Sequence, residues 1–152
     1  MLPLVSKAQT RIPDMQARDI NGDLFSIGSL ARDNKPLIIL FWATWCKPCI
    51  EEMDNIAEIY YDWQDEVGFE LVAVSIDDTR SSSVIRSFVY GKDWPFRVLL
   101  DTNQDIMRAM NVTVIPHYYL FDSNNKMVYK HTGYTPGNEF LMYNELKKLV
   151  NE

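Results

Sequence analysis

Seven consecutive apolar residues, Leu37 to Ala43, follow Lys35-Pro36 and lead directly into Thr44-Trp45-Cys46-Lys47-Pro48-Cys49. A run this short and this apolar suits a strand buried on both faces of a sheet, because a membrane-spanning helix needs about 20 such residues. Beyond it, Ile50, Met53, Ile56, Ala57, Tyr60 and Trp63 recur at three- and four-residue intervals, so a long amphipathic helix is predicted from Lys47 to about Glu66. The two cysteines therefore stand where a central strand hands over to a helix. That junction restricts the chain to α/β architectures in which strand and helix alternate.

The flanking segments extend the pattern. Asp14 to Asp19 and Leu24 to Ile27 surround Asn21-Gly22, a pair suited to a hairpin turn. Phe69 to Ile76 reads as a second buried strand, Ser81 to Tyr90 as a helix, Arg97 to Leu100 as a short strand and Asn103 to Met110 as a short helix. Tyr118 to Phe121 and Met127 to His131 flank Asp122-Ser123-Asn124-Asn125 as a second hairpin, and Asn138 to Val150 closes the chain as a helix. The expected fold is α/β, a central mixed sheet flanked by helices on both faces. No repeat, low-complexity tract or linker divides the 152 residues, so one domain over 1–152 is expected, with residues 1–11 as a flexible leading segment.

With 47% hydrophobic residues, a chain of this length builds a core without disulfide staples, which leaves its two cysteines for chemistry. Fifteen basic against twenty-one acidic residues give a formal charge of −6, the wrong sign for a nucleic-acid or anionic-lipid binder. The opening residues Met1 to Val5 lack the charged segment and apolar length of a secretory signal.

Cysteines at i and i+3 in a helix's first turn share a face, so their sulfurs bond or separate with little backbone movement. Unpaired amides and the positive end of the helix dipole stabilise a thiolate at Cys46, Lys47 adds a positive charge, and Pro48 fits a first turn whose amide would lack an intrahelical partner. Cys46 is the expected exposed nucleophile and Cys49 the shielded resolving thiol. A structural disulfide would close too short a loop to stabilise much. A zinc or iron–sulfur site would need ligands beyond His117 and His131, and Ile50 stands where covalent haem attachment requires histidine. No metal, flavin or nucleotide cofactor is implied.

Phe41-Trp42-Ala43-Thr44-Trp45-Cys46-Lys47-Pro48-Cys49, then Glu52, and later Val112-Thr113-Val114-Ile115-Pro116, resemble the thioredoxin superfamily, specifically its TlpA/ResA-like branch. The resemblance runs from about Ile12 to the C-terminus and takes in Pro13-Asp14, the Asn21-Gly22 hairpin and Gly133-Tyr134. It implies a thioredoxin-like fold, with the helix and strand that this branch inserts around residues 79–100, between the active-site βαβ and the closing ββα. It implies a thiol–disulfide oxidoreductase whose catalytic set is Cys46, Cys49, Glu52 and Pro116. It also implies a cis peptide bond before Pro116, disulfide-containing protein substrates, electrons from an upstream, membrane-embedded thiol reductase, and an extracytoplasmic setting, the cytoplasm being the alternative. A monomer is expected.

Trp45, Lys47, Pro48, Ile115 and His117 are the candidate substrate-contacting residues. A Pro116 without an amide proton leaves the backbone of Ile115 free to pair with an extended substrate; read alone, Pro116 is an ordinary strand-start proline. Glu52 lies on the cysteine face and is a candidate proton acceptor for Cys49, unless it is a surface charge like Glu51 and Asp54, which complement the helix dipole. Leu40 stands where plain thioredoxins carry a strand aspartate, which favours Glu52. Asp54 replaces the branch's usual proline. His117 admits a place near the dithiol with pH dependence or a solvent-facing place on a strand. Trp42 reads as part of an apolar platform around the sulfurs with Trp45, or as core. Asp77-Asp78 reads as a solvated turn rather than a metal site.

Two other functions compete. A thiol peroxidase of peroxiredoxin type needs proline seven and threonine three residues before its nucleophile, whereas Ile39 and Ala43 stand there. A redox-inert module holding a peptide beside Pro116 conflicts with an intact dithiol.

Overall fold

Residues 11–150 are described here from a computed structural model. The expectation of a flexible leader over 1–11 falls, apart from Arg11, outside these residues. The chain opens as a hairpin of β1 (Gln16–Asp19) and β2 (Leu24–Ser26). Its turn is organised by the Asp19 carboxylate, which accepts the Asn21 and Asp23 amides at 2.9 and 3.0 Å, while Gly22 takes a φ of 87°. A 3₁₀ stretch, Ile27–Asp33, follows; periodicity gave no sign of it.

β3 (Leu37–Trp42) is buried at every position and leads into α1 (Lys47–Glu66). Then come β4 (Glu70–Ser75), α2 (Ser82–Lys92), β5 (Arg97–Leu100), α3 (Asp105–Ala109), the pair β6 (His117–Phe121) and β7 (Met127–Thr132), and α4 (Glu139–Val150). Seven strands form one mixed sheet in the order β2-β1-β5-β4-β3-β6-β7. β3, β4 and β5 are parallel, and β6 lies antiparallel on the other side of β3.

This order fixes the faces. Right-handed crossovers from β3 to β4 to β5 step in one direction across the sheet, so α1 and α2 lie on the same side. α4 packs against α1. Tyr118 faces these helices, while its neighbour Tyr119 points the other way and donates its hydroxyl to the Met110 carbonyl at the end of α3. Helices thus cover both faces, as expected.

Trp42, fully buried, meets Trp94 edge to face at 5.3 Å and Phe88 of α2 at 6.2 Å. It is core, which favours that reading over a shared apolar platform with Trp45. Phe88 of α2 and Trp94, in the connection between α2 and β5, pack against it. Asp54, the substitution in α1, accepts Lys92 Nζ at 2.8 Å and Trp94 Nε1 at 2.9 Å, which ties α1 to that insertion.

Candidate active site

The parallel strands end on one edge of the sheet, and the candidate residues gather there. Cys46 is the N-cap of α1 in an extended conformation (φ −99°, ψ 97°), and its carbonyl accepts the Ile50 amide at 3.1 Å. Lys47 and Pro48 form the first helical positions and Cys49 follows, bonded to Cys46 as a disulfide with a Cα separation of 5.3 Å. Pro48 has no amide, so the amides of Lys47 and Cys49 are the first-turn donors left without intrahelical partners. They and the helix dipole stabilise negative charge at Cys46 when the bond opens.

Exposure corrects one expectation. Cys46 is only 6% exposed in the disulfide form and Cys49 is fully enclosed. The asymmetry runs in the expected direction, but the candidate nucleophile is nearly enclosed. Trp45, 70% exposed, and the exposed Lys47 and Pro48 form its rim.

The loop that presents this rim is clamped from β4. Asp77 accepts the Thr44 amide at 2.9 Å, the Thr44 hydroxyl at 2.6 Å and the Ser75 hydroxyl at 2.6 Å, and is 2% exposed. The solvated-turn reading is therefore wrong for Asp77; only Asp78 behaves so, pairing with the exposed Arg80. Because three donors would lose their acceptor in a buried place, Asp77→Ala is expected to destabilise the protein by about 2–4 kcal/mol, measured by urea unfolding.

The Ile115–Pro116 bond is cis, as the resemblance implied. Phe41 pairs with His117 across β3 and β6, which sets Pro116 at the end of β3 from which the cysteine loop departs. Pro116 is buried and its carbonyl accepts the Gly133 amide at 2.8 Å, while Ile115 is half-buried and Val114 56% exposed. His117, by contrast, is 6% exposed, with its ring 4.5 Å from Tyr119. Both nitrogens lack a hydrogen-bond partner among the described residues, and burial, with the charges of Lys130 and His131, holds its pKa down at about 4. The solvent-facing reading of His117 is overturned, and as a substrate contact it would offer no more surface than the equally buried Cys46. A ring neutral above that range adds no titration near neutrality.

Glu52 lies inside the protein. It is fully buried on α1, and neither carboxyl oxygen has a hydrogen-bond partner among the described residues. Desolvation, helped by the charge of Glu139, pushes its pKa up to about 8. Glu51 is exposed, as the 100° step between neighbours requires. Leu40 is buried opposite Tyr118 on the same face of the sheet.

The AhpC/TSA family model matches residues 8–130, a span that holds both cysteines, Glu52 and Pro116. The chain belongs to the AhpC/TSA family. It is similar to the thiol-disulfide oxidoreductase ResA of Bacillus cereus, with 31% identity over 121 residues, 80% of this chain and 67% of that protein. ResA of Bacillus subtilis is 30% identical over 123 residues, 80% of this chain and 65% of the relative. The chain thus spans about two thirds of the length of the curated relatives it matches. Among solved structures, a thioredoxin-like protein from Porphyromonas gingivalis aligns with a TM-score of 0.81 at 43% identity, covering 93% of this chain and 92% of that one. The fold is thioredoxin-like, and this AhpC/TSA family member is a ResA-like thiol–disulfide oxidoreductase.

In this AhpC/TSA member, Ile39 and Ala43 are fully buried and offer no hydroxyl or imino ring where a peroxidase requires threonine and proline. Three residues of the site escaped sequence reading. Tyr134 donates its hydroxyl to Glu139 Oε2 at 2.6 Å and accepts from Asn55 Nδ2 at 2.7 Å. Gly133-Tyr134 marked the resemblance, but no spacing linked Tyr134 to Asn55, 79 positions away.

Proposed function

We propose that the chain is a single thioredoxin-like domain, acting as a monomer, that reduces disulfides in extended protein segments. The observation that carries this is the Cys46–Cys49 disulfide at the N-terminus of α1 with the buried carboxyl of Glu52 three residues beyond it.

The cycle begins in the oxidised form. A thiolate of an upstream dithiol donor attacks Cys46, the Cys46–Cys49 bond breaks, and Cys49 leaves with the electron pair. Glu52, protonated below about pH 8, supplies the proton that Cys49 needs. The donor's second thiol then attacks the mixed disulfide, and Cys46 is released as a thiolate. In the second half, Cys46 attacks the substrate disulfide, forming a mixed disulfide and releasing one substrate thiolate, which takes a proton from solvent. Glu52 takes the Cys49 proton, Cys49 attacks Cys46, and the second substrate sulfur leaves. Two electrons have passed from donor dithiol to substrate disulfide.

Glu52 suits both halves because a group titrating at about 8 is matched to a thiol near 8.5. The half-buried Ile115, beside the exposed Val114, offers backbone for an extended segment, and Trp45, Lys47 and Pro48 supply contact around Cys46. We place the protein outside the cytoplasm, where substrate disulfides form, and its donor among membrane thiol reductases. No helix among the described residues is long and apolar enough to cross a membrane.

Equilibration with defined dithiothreitol or glutathione buffers and trapping of free thiols measures the Cys46–Cys49 potential. A reductase requires a value near thioredoxin's, roughly −270 mV; one near roughly −120 mV would reverse the direction and make the protein a disulfide donor.

A further inference from the structure

Two carboxyls are buried on the α1 face of the sheet, and the cycle above uses only one. Glu52 sits on α1 with no hydrogen-bond partner among the described residues. Glu139, at the start of α4 and 7% exposed, is held by the Tyr134 hydroxyl at 2.6 Å and by the Gly137 amide at 3.1 Å. Tyr134 in turn accepts from Asn55, which follows Glu52 by three residues and so stands on the same side of α1. The preceding residue, Gly133, donates to the carbonyl of Pro116. One hydrogen-bonded bridge thus joins the catalytic helix, the segment leading into α4 and the cis proline, with a carboxylate at its end.

We propose that Glu139, held by Tyr134 and the Gly137 amide, is a positioning residue for the Cys49 half-reaction and acts on it through Glu52. This rests on the reading of Glu52 as the proton carrier for Cys49. Glu139 does not touch the sulfurs. Its negative charge acts on a carboxyl that has no hydrogen-bond partner among the described residues, so ionisation of Glu52 meets desolvation first and like charge second. The bridge fixes where that charge sits, since Tyr134 is tied to α1 on one side and to Glu139 on the other. Burial first, then the bond to Glu139 and the charges of both carboxyls, push the Tyr134 pKa up to about 12 against the opposing bond from Asn55. Other titratable groups lie on the same side of the sheet as Glu52. Tyr118 lies across from it on β6 with an unpartnered hydroxyl, and behind Tyr118 stand Tyr129 and His131 of β7, with Glu145 of α4 nearby. The charge on Glu139 adds to desolvation in keeping the proton on Glu52.

Glu139→Gln tests this with little change of shape, since an amide oxygen still accepts from Tyr134. The full chain carrying ¹³C-labelled glutamate is titrated by NMR, with Glu52→Gln assigning the Glu52 signal, and the rate at which dithiothreitol opens the Cys46–Cys49 disulfide is followed across pH. Glu139→Gln is expected to lower the Glu52 midpoint by roughly half to one pH unit and to move the midpoint of the opening rate with it. Glu139→Asp, which keeps the charge, is expected to stay close to the parent. Glu139→Ala removes the charge by a second route and is expected to shift in the same direction. An unmoved midpoint in both charge-removing variants overturns the proposal. If Glu52→Gln changes the rate profile and Glu139→Gln does not, Glu139 has no part in the reaction and the role of Glu52 stands. If Glu52→Gln leaves the profile unchanged, Glu52 carries no proton for Cys49 and both fall.

Discussion

Cys46→Ser is expected to abolish disulfide exchange, by about three orders of magnitude or more, whereas Cys49→Ser is expected to stop after one chemical step and accumulate a covalent complex with its substrate. The difference follows from where the two sulfurs sit. Cys46 caps α1, keeps the little surface the pair has, and lies at the end of the helix where amides lack partners. Cys49 is inside the first turn, fully enclosed, with Glu52 as the ionisable group on its own face. An incoming disulfide can reach the first and not the second. Without Cys46 no bond to substrate forms. Without Cys49 that bond forms and nothing breaks it, because the only sulfur placed to attack Cys46 is gone. Incubation with a disulfide-containing protein, followed by non-reducing electrophoresis and mass spectrometry of the shifted band, reads both outcomes. Turnover by Cys49→Ser, or a trapped complex with Cys46→Ser, would reverse the assigned order.

The parts of this molecule legible in the sequence are those that rest on local periodicity. α1 spans Lys47–Glu66 and β5 spans Arg97–Leu100, because helical spacing and short apolar runs are written in consecutive residues. The 3₁₀ stretch Ile27–Asp33 was not legible, since such turns have no apolar period of their own. Asp77 failed for a different reason. Paired acids after a strand read as a solvated turn, and what buries Asp77 is Thr44, 33 positions away, brought alongside by the β3–β4 pairing. His117 was misread because β6 is covered on both faces, so the alternation that would send one side chain to solvent has no solvent side here. The Asn55–Tyr134–Glu139 bridge is likewise a product of tertiary packing between α1 and α4. What motif spacing did reveal was the disulfide-bonded pair itself and the carboxyl on its face. Where that carboxyl lies in the solvent gradient decides its chemistry, and only the fold supplies that.

Burial of Glu52 has a thermodynamic signature separate from its rate. Its folded pKa is about 8 and its ordinary value 4.5. Below 4.5 both states are protonated and the burial is not penalised. Between 4.5 and 8 the unfolded chain releases a proton that the folded protein retains, so stability falls as pH rises, by about 1.4 kcal/mol per unit. The loss approaches roughly 3 kcal/mol at pH 7 and levels off above 8. Glu52→Gln removes this titration. Urea unfolding of the variant from pH 5 to 8 should therefore lack the component that the parent shows, and near pH 7 the variant should be the more stable of the two by a few kcal/mol, less the penalty of an unpartnered buried amide. Its chemistry should move the opposite way, with disulfide opening at pH 7 slowed by about a hundredfold because the departing Cys49 thiolate finds no proton. A variant that is more stable and slower identifies Glu52 as a group kept at a cost to the fold for the reaction it serves. Equal pH slopes in the two proteins would place that carboxyl in water instead, and with it the surface-charge reading of Glu52 would return.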